Sequence, residues 1–272
     1  MYDIICSIVV YKTEGAQLKK AVQSFLNSSL NLKLYIIDNS PSDKLRDILV
    51  DFNAEYIFNN KNLGFGAAHN IAIRNSAGLS KYHLVLNPDI SFESGVLEAI
   101  FNFMEKNINV GLLMPKVCYP DGSIQYLCKL LPNPLDLFLR RSNIAIVNRL
   151  FRKSLENYEL RFTGYRMIMD VPCLSGCFMF LRREILAKVG IFDQRFFMYL
   201  EDVDFSRRIH KHYRTVFYPQ VSVIHHYSRG SYSNYYLFWC HIVSAVKYFF
   251  KWGWFFDQER KLVNRRAMDK LS

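Results

Sequence analysis

The stretch YHLVLNPD, residues 82–89, joins an apolar strand-like run directly to a short polar turn. Pro88 biases Asn87 toward an extended backbone, so the side chains of Asn87 and Asp89 are expected close together where the strand ends. Their oxygens are hard ligands suited to Mg²⁺ or Mn²⁺, cations that also bind substrate phosphates. An ordinary Asn-Pro-Asp turn is the alternative. The position directly after a buried strand favours the metal.

Two further acidic stretches occupy comparable positions. Residues 34–38 form a strand-like run that ends in Asp38, and residues 201–204 read Glu-Asp-Val-Asp at the start of a helical pattern. Ligands bind outside the carboxyl ends of the strands of an open α/β sheet. The sequence therefore predicts one site, lined by carboxylates, at one edge of a sheet.

The pattern around these stretches predicts the fold class. Strand-like and helix-like segments alternate over the first hundred residues, which is typical of an α/β fold with a mostly parallel central sheet and helices on both faces. The predicted extended segments are 4–11, 32–38, 54–58, 82–86, 111–117, 171–181, 215–218 and 221–225. The predicted helices are 17–27, 43–50, 64–75, 94–106, 184–189 and 201–212. Pro120-Asp121-Gly122 predicts a hairpin turn, and residues 127–167 are predicted to be irregular.

Residues 235–256 carry tyrosine, phenylalanine and tryptophan at high density, with Lys247 and Lys251 between them. This pattern predicts a C-terminal aromatic-basic helix. Such a helix can lie in a membrane interface, with Trp252 and Trp254 at the headgroups, or pack on the α/β domain. The sequence leaves both interpretations open.

The net charge of the chain indicates which kinds of molecule it binds. Lysine and arginine outnumber aspartate and glutamate by 35 to 24, which gives the 272-residue chain a net charge of +11. This balance favours nucleic acid, an anionic membrane surface or phosphorylated small molecules. Aromatic side chains among basic ones can stack on bases, but the acidic clusters at strand ends would repel nucleic-acid phosphates unless metal is present. Nucleic acid is therefore not the expected partner.

Cysteine usage and the N-terminus bear on the compartment. The six cysteines include no C-x-x-C pair, and a strand-like run begins directly after residues 1–3. These features predict the reducing cytosol. No apolar run approaches the roughly 20 residues that a membrane-spanning helix needs.

The segment NNKNLGFGAAHN, residues 59–70, places Gly64 and Gly66 at a predicted helix start. Backbone N–H groups there can approach a diphosphate, and the helix dipole favours the anion. A glycine-rich turn with asparagine caps is the alternative. Asp38 also has two interpretations, since a strand-end aspartate can bind a nucleobase or ribose and can equally form an Asx turn with Asn39 and Ser40.

Two later motifs could supply a base and a metal ligand. Glu201 and Asp202 follow the apolar run 196–200, and partial burial beside a like charge raises a carboxyl pKa toward values useful to a general base. Helix capping is the alternative. His225 and His226 end the last predicted strand, where a histidine can join Asp89 on a metal, with a surface histidine as the alternative.

Taken together, these motifs resemble those of the family 2 glycosyltransferases of the GT-A fold, in particular the bacterial rhamnosyltransferase-like members that build O-antigen in lipopolysaccharide biosynthesis and related cell-surface polysaccharides. They occur in the family's order between residues 4 and 231. The matching segments are 7–11, 36–40, 62–66 with Asn70, 86–89, 175–178, 190–193, 197–204 and 225–231.

The resemblance implies a role for each motif. It implies that Asp202 is the catalytic base with Glu201 beside it, and that Asp89 binds a divalent metal, Mg²⁺ or Mn²⁺, with His225 or His226. Asn87 stands where the family has the first aspartate of D-x-D. The residues implied to contact the nucleotide-sugar donor are Tyr11, Asp38, Asn39, Asn62, Gly64, Gly66, Asn70, Asn87, Ser175 and Gly176.

The implied activity is an inverting, metal-dependent transfer of a hexose to a glycan, with L-rhamnose from dTDP-rhamnose as the best match and a polyprenyl-diphosphate-linked acceptor. A UDP-linked donor, such as UDP-galactofuranose, UDP-galactose or UDP-N-acetylglucosamine, is the alternative. Residues 1–231 would form the GT-A domain, with a nucleotide-binding half (1–117) and an acceptor half (118–231). Residues 232–272 would form a helical, membrane-associating segment that places the enzyme peripherally on the cytoplasmic face of the inner membrane.

Overall fold

The computed structural model describes residues 1–141, 149–226 and 235–271, and strands and helices alternate along its first half. The strands are β1 (Tyr2–Val10), β2 (Leu32–Asp38), β3 (Ala54–Phe58), β4 (Ser80–Leu86), β5 (Ile90–Ser91), β6 (Val110–Cys118), β7 (Met169–Asp170), β8 (Phe178–Arg182) and β9 (Arg214–His225). The helices are α1 (Gly15–Leu26), α2 (Phe65–Asn75), α3 (Val96–Lys106), α4 (Pro134–Arg141), α5 (Arg152–Tyr158), α6 (Leu186–Val189), α7 (Glu201–His210), α8 (Tyr235–Trp252) and α9 (Gln258–Leu271).

All the strands belong to one open sheet, in the order β3-β2-β1-β4-β8-β6-β9-β5, with β7 paired to β9. The predicted parallel pairing holds for β3, β2, β1 and β4 and for β6 with β9. The ladders that β8, β5 and β7 form are antiparallel, so the sheet is mixed beyond β4. Strand β8 is antiparallel to both of its neighbours, β4 and β6, so β6 and β9 run parallel to β4. The carboxyl ends of β1, β2, β4, β6 and β9 therefore point to the same edge.

Strand β1 shows why helices cover both faces. Its even-numbered residues, such as Ile8, pack with buried residues of α1, including Phe25. Ile5, on the opposite face, packs with Ala68 and Ala72 of α2. Successive side chains of a strand point to opposite faces, so an apolar run that alternates between two helices is buried on both sides.

Three predicted elements differ from the structure. The helix predicted at 43–50 is reduced to a 3-10 turn at Asp47–Leu49, because the backbone bonds there run three residues back, as from Leu49 to Arg46. The strands predicted at 215–218 and 221–225 are one strand, β9, with a register shift opposite Pro115 and Lys116. Within 171–181, only the part from Phe178 onward is a strand.

The prediction of an irregular 127–167 segment is also wrong, since α4 and α5 lie within it. Helix α4 begins with a reciprocal cap: the Asn133 side chain accepts from the Asp136 amide at 3.0 Å, and the Asp136 carboxylate accepts from the Asn133 amide at 2.9 Å. Pro134 occupies the first helical position, where its missing N–H is not needed. Both capping residues and Pro134 lie within four consecutive positions, so the sequence itself carries a signal for the start of α4.

The C-terminal tail, residues 235–271, contains two helices where one was predicted. Helix α8 ends at Trp252, followed by Gly253 at φ +100°, and α9 begins at Gln258. One face of α8 packs on the α/β domain through Ser244, Tyr248 and Phe249, while another exposes aromatic and aliphatic side chains. In the part of the chain that the structure describes, no helix has both the length and the apolarity needed to cross a membrane.

Candidate active site

The sheet brings most of the predicted site residues to one edge. Tyr11 follows β1, Asp38 ends β2, Asn87 follows β4 and His225 ends β9, and these strands run in the same direction. Strand β8 runs the opposite way, so the segment that precedes Phe178 lies beside Leu86 at this same edge. Ser175 and Gly176 belong to that segment, here called the 175–177 loop.

Asp38 is fully buried at the end of β2. One carboxylate oxygen accepts from the Ser40 amide at 2.7 Å, and the other accepts from the Tyr56 hydroxyl. Asn39 is buried too, and it bonds Asn59 at 2.9 Å and the Gly64 carbonyl at 3.1 Å. In this conformation Asp38 and Asn39 shape the turn at the end of β2, and their contact to the donor stays a prediction.

The glycine turn before α2 is shaped by packing. A Cβ on Gly64 would lie 2.1 Å from the Phe197 carbonyl oxygen, and one on Gly66 would lie 2.8 Å from Phe192 Cβ. Gly64 also has φ +83°, a conformation that side chains disfavour. The Gly64 amide donates to Asn62 at 2.9 Å, and the Phe65 amide donates to the Phe197 carbonyl at 2.9 Å. These two amides are bonded within the protein, and the predicted approach of a diphosphate to this turn stays a prediction.

Asn70 has a structural role as well. Its amide nitrogen donates to the Phe192 carbonyl at 2.8 Å, and its oxygen accepts from the Phe192 amide at 3.1 Å. The amide nitrogen and the oxygen of this fully buried side chain are therefore both hydrogen-bonded, to a residue 122 positions away in the sequence. Asn70 thereby holds α2 against Phe192, and its predicted place beside the donor stays a prediction.

The residues predicted to contact the donor fall into two groups by solvent exposure. The buried residues are Asp38, Asn39, Gly64, Gly66, Asn70 and Gly176. Those that are exposed or half-buried are Tyr11, Asn62, Asn87 and Ser175. The second group has side-chain or backbone surface open to solvent at this edge in the structure.

Asp89 and His225 form a close pair. Asp89 Oδ1 lies 3.3 Å from His225 Nε2, and the backbone pairing of Ile90 with His225 fixes this approach. The other ring nitrogen, Nδ1, lies 2.9 Å from the Gln125 side-chain oxygen, while the Gln125 amide nitrogen donates to the His225 carbonyl at 3.0 Å. Since Gln125 can only accept at that oxygen, Nδ1 of His225 carries the hydrogen.

This tautomer fits a metal ligand. With the hydrogen on Nδ1, His225 turns Nε2 toward Asp89 Oδ1, which is buried and accepts no hydrogen bond from any described residue. A ligating histidine commonly donates its other N–H to an oxygen, as His225 does to Gln125. Within the described ranges, no cluster of three or more His, Cys, Asp or Glu side chains suited to a metal occurs. A cation here would need further oxygens from substrate and water, as Mg²⁺ commonly takes.

The two histidines are distinguished by what they face. His226 Nε2 lies 3.4 Å from the Ser91 hydroxyl, and the His226 amide donates to the Asp89 carbonyl at 2.9 Å. Only His225 presents a ring nitrogen to the Asp89 carboxylate. The predicted loop beyond it, up to Ser231, lies outside the described residues.

Asp202 stands in the first turn of α7, half-buried. One carboxylate oxygen accepts from the Gly176 amide at 3.0 Å, and the other accepts from the Val203 amide at 2.8 Å. These two backbone bonds fix the orientation of the Asp202 carboxylate. The turn before the helix is unusual, because Tyr199 and Leu200 both have left-handed φ values, +69° and +64°. Such strain in non-glycine residues concentrates at functional sites.

Glu201 differs from its neighbour. Its side chain is buried, and Oε2 has no hydrogen-bond partner among the described residues. Burial raises the pKa of the Glu201 carboxyl well above its ordinary value, and the charge of Asp202 raises it further. The prediction paired the two carboxyls as catalytic, but Asp202 is the one with exposed surface and Glu201 is directed into the protein.

The 175–177 loop connects the two ends of the site. The Asn87 amide donates to the Cys177 carbonyl at 2.9 Å, while the Gly176 amide holds Asp202. A Cβ on Gly176 would lie 3.3 Å from Asp202 Cβ and 3.3 Å from Phe65. A glycine is needed where these groups approach so closely. The Asp89–His225 pair and Asp202 are therefore joined to one short segment.

The C-terminal tail supports helix α7. Arg207 forms a two-pronged bond with Asp257 at 2.7 and 2.8 Å, and both side chains are buried. Trp252 donates its ring N–H to Asp204 at 2.8 Å, one turn along α7 from Glu201. The Ser244 hydroxyl donates to the Met198 carbonyl at 2.8 Å, beside the strained turn.

Sequence reasoning missed two supporting residues. Tyr56 pairs in the β2–β3 ladder opposite Ile36 and reaches Asp38, but an aromatic residue in a strand carries no signal of such a bond. Gln125 follows the turn at 120–122 and orients His225 from 100 positions away. Nothing local identifies either role.

Comparisons with known proteins agree with this geometry. The model of "Glycosyl transferase family 2" matches residues 6–190. An N-acetylglucosaminyl-diphospho-decaprenol L-rhamnosyltransferase of Mycobacterium tuberculosis is 26% identical over 245 residues, which cover 83% of this chain and 77% of that protein. The rhamnosyltransferase WbbL of Escherichia coli is 22% identical over 276 residues, with 97% of each chain covered.

Among solved structures, GalNAc-T7 with UDP, GalNAc and Mn²⁺ superposes with a TM-score of 0.61 at 14% identity. The match covers 83% of this chain and 43% of GalNAc-T7. At this identity the likeness concerns the fold alone, and it agrees with the predicted GT-A architecture. The match to the family model covers well over half of the sequence and includes the carboxyl ends of β1, β2 and β4 and the 175–177 loop. The chain therefore belongs to glycosyl transferase family 2 and is a glycosyltransferase of the GT-A fold.

Proposed function

We propose that this glycosyltransferase moves L-rhamnose from dTDP-rhamnose, with inversion, onto a glycan linked to polyprenyl diphosphate during the synthesis of a cell-surface polysaccharide such as O-antigen. Two relatives with rhamnosyltransferase names support the sugar, and one of them names a diphospho-decaprenol acceptor. The observation that carries the proposal is that the 175–177 loop bonds both Asp202 and Asn87, two residues before the Asp89 that faces His225.

The Asp89–His225 pair defines the donor side of the site. Asp89 Oδ1 and His225 Nε2 would hold Mg²⁺ or Mn²⁺, and the buried, unbonded Asp89 oxygen supports this assignment. When bound there, the metal supplies charge stabilisation to the departing nucleoside diphosphate. Tyr11, Asn62, Asn87 and Ser175 are the accessible residues from which donor contacts are expected.

Asp202 defines the acceptor side. Its carboxylate accepts the proton of an acceptor hydroxyl as that oxygen attacks the anomeric carbon, on the face opposite the leaving diphosphate. The Gly176 and Val203 amides fix its orientation for this task. Burial and the charge of Asp202 raise the pKa of the Glu201 carboxyl, so this group loses its proton less readily than an ordinary glutamate.

Nucleotide binding and transfer test the proposal directly. Thermal unfolding is followed with dTDP, UDP, GDP and NAD, each with and without Mn²⁺, because a ligand that binds only the native state raises the melting temperature. Metal-dependent stabilisation by dTDP above UDP, followed by rhamnose transfer from dTDP-rhamnose to a diphosphate-linked N-acetylglucosamine, is the expected result. Stabilisation by UDP alone would replace the donor, with UDP-galactofuranose, UDP-galactose and UDP-N-acetylglucosamine tested next. No nucleotide binding under any condition would contradict the proposal.

We further propose that α8 rests on the anionic cytoplasmic surface of a membrane. Its outer face exposes large apolar side chains, Tyr235, Trp239, Val243 and Phe250 among them, and the chain carries a net charge of +11. Wild-type protein is expected to float with anionic vesicles at low salt, whereas a Trp239→Glu/Phe250→Glu variant remains in the soluble fraction. Val50→Glu, at a 75% exposed position outside the tail, is the matched control. Absence of wild-type flotation would contradict the proposal.

A further inference from the structure

Lys129 is a buried lysine close to Asp202. The residue is only 6% exposed, and its backbone exchanges two hydrogen bonds with Cys173, at 3.0 and 3.1 Å. In such an antiparallel pair the two side chains lie on the same face. Cys173 packs with Leu200 and Val203, which flank the two acids at the start of α7. Lys129 is therefore on the acceptor side, beneath the carboxylate that we propose as the base.

The surroundings of Lys129 do not neutralise it. No described residue offers its ammonium a hydrogen bond or a carboxylate at ion-pair distance. Burial lowers the pKa of Lys129 and Arg140 lowers it further, whereas the charges of Asp202 and Glu159 act in the opposite direction. Glu159 already contacts two guanidinium groups, those of Arg140 and Arg161.

Lys129 therefore has no carboxylate partner among the described residues. Glu159 contacts Arg140 and Arg161, and Asp202 must remain free to take a proton. A buried, unpaired ammonium is unfavourable unless an anion compensates it, and lysine binds phosphate as a point charge. An anionic group of a substrate would compensate the charge of Lys129.

The neighbouring surface indicates what else that anion carries. Arg140 lies in α4, which packs against α8 and exposes Leu135 and Phe138. The outer face of α8 is apolar as well. A phosphate attached to a hydrocarbon chain could thus place its charge at Lys129 and Arg140 and its chain along this surface. The diphosphate of the donor, in contrast, is expected at Asp89 and His225.

We propose that Lys129, together with Arg140, binds the diphosphate of a lipid-linked acceptor and thereby presents the attached sugar to Asp202. This inference rests on the proposed function and adds the residues that recognise the acceptor. The shared chemistry is a diphosphate, which either the acceptor or the donor could supply, so the test separates the two.

The test compares two acceptors that differ only in charge. One is N-acetylglucosamine on a short alkyl diphosphate, and the other is the neutral octyl glycoside of the same sugar. Wild type is expected to have a KM about ten- to hundredfold lower for the diphosphate acceptor than for the octyl glycoside. This ratio corresponds to the free energy of a hydrogen bond to a charged group. Lys129→Met should lose this preference while KM for dTDP-rhamnose is unchanged, and Lys129→Arg should keep most of it. Lys106→Met, at an exposed lysine of α3, is the matched control.

Folding is checked by thermal unfolding. Replacing an unpaired buried charge by an apolar side chain of similar volume should leave Lys129→Met at least as stable as wild type. Three kinetic results would overturn the inference: a Lys129→Met enzyme that still prefers the diphosphate, one whose KM rises for the donor instead, or one that loses kcat on both acceptors with an altered pH profile and unchanged KM. The last result would make Lys129 a positioning residue for Asp202.

A binding experiment keeps this inference separate from the proposed function. Inorganic pyrophosphate is titrated calorimetrically into protein that is saturated with dTDP and Mn²⁺, so that the donor site is occupied, and the heat of pyrophosphate binding to Mn²⁺ without protein is subtracted. Wild type should bind pyrophosphate at least about tenfold more tightly than Lys129→Met. Equal binding would refute the anion site even if rhamnose transfer is observed. A difference would support the site even if neither acceptor receives rhamnose.

Discussion

The donor side and the acceptor side of this site are built in different ways. Asp89 precedes β5, whose Ile90 pairs with His225, so the main-chain ladder itself sets the approach of the two side chains. Asp202 begins a helix after two left-handed residues, and that helix is held by Arg207 and Asp257, which are 50 positions apart. The donor side is a product of the sheet, whereas the acceptor side depends on side chains brought from the end of the chain.

This difference has a functional consequence. A site supported by strand pairing can bind nucleotide and metal without the C-terminal tail taking part. A base held by a strained turn and by the tail can be displaced while donor binding persists. We therefore expect substitutions on the two sides to separate binding from transfer, and the following variants test that separation.

The largest effect is expected for Asp202→Asn. The amide cannot take up the acceptor proton, so transfer should fall by at least about 10²-fold, the lower bound for positioned general-base catalysis. Stabilisation by dTDP and Mn²⁺ should match that of wild type, because Asp89 and His225 are untouched. Rates from radiolabelled transfer and melting temperatures give the two readouts. Unchanged turnover would contradict the assignment of the base, and lost nucleotide binding would contradict the independence of the two sides.

Asp257→Asn tests how far the tail holds the acceptor side. The substitution removes the buried carboxylate from Arg207, which keeps the more exposed Glu259 at 3.0 Å, and breaking a buried ion pair costs up to about 3–5 kcal/mol of unfolding free energy. Glu156→Gln is the control, because its partner Arg152 is largely exposed and such pairs contribute at most about 1 kcal/mol. Urea unfolding measures both. A loss for Asp257→Asn no larger than that of the control would mean that the tail does not support α7.

The same contrast explains how much the sequence could predict. Asp89 and His225 follow apolar runs of the right length, and parallel strands necessarily place their carboxyl ends at one edge, so the pair could be predicted from local pattern and general rules. The start of α4 could also be predicted locally, because its reciprocal cap joins Asn133 and Asp136. These features depend on neighbours in the sequence.

Other features depend on distant partners. A glycine that admits a phosphate and a glycine that admits a phenylalanine look the same in the sequence, and only the approach of Phe192 and Phe197 distinguishes them. Asn70 is ambiguous for the same reason, because its partner is 122 positions away. Lys129 has no motif, and its importance becomes visible only once burial places it near Asp202. The acceptor side was therefore the less predictable one.

A smaller and more selective effect is expected at His225. His225→Gln should weaken the apparent affinity for Mn²⁺, measured by its enhancement of dTDP binding, by at least about tenfold, and Gln125→Leu by about ten- to hundredfold because it frees the imidazole to reorient. His226→Gln is the matched control and should stay within about twofold, since that ring faces Ser91. Equal losses at both histidines would contradict the assignment of the ligand. The pH profile of transfer by His225→Gln should follow that of wild type, because the base is on the other side.

The smallest effect is expected for Glu201→Gln, directly beside the base. The folded-state pKa of Glu201 lies well above its ordinary value of 4.5, so the native protein keeps a proton that the unfolded chain releases. Wild-type stability should therefore fall as pH rises above about 4.5, and the glutamine variant lacks this loss. Its melting temperature should exceed that of wild type at pH 7–8, by roughly 2–4 °C per kcal/mol gained, and approach it near pH 4.5. Transfer should stay within a few-fold of wild type. If Glu201→Gln were instead as inactive as Asp202→Asn, the two carboxyls would act as one unit, and the acceptor side would not rest on a single exposed base.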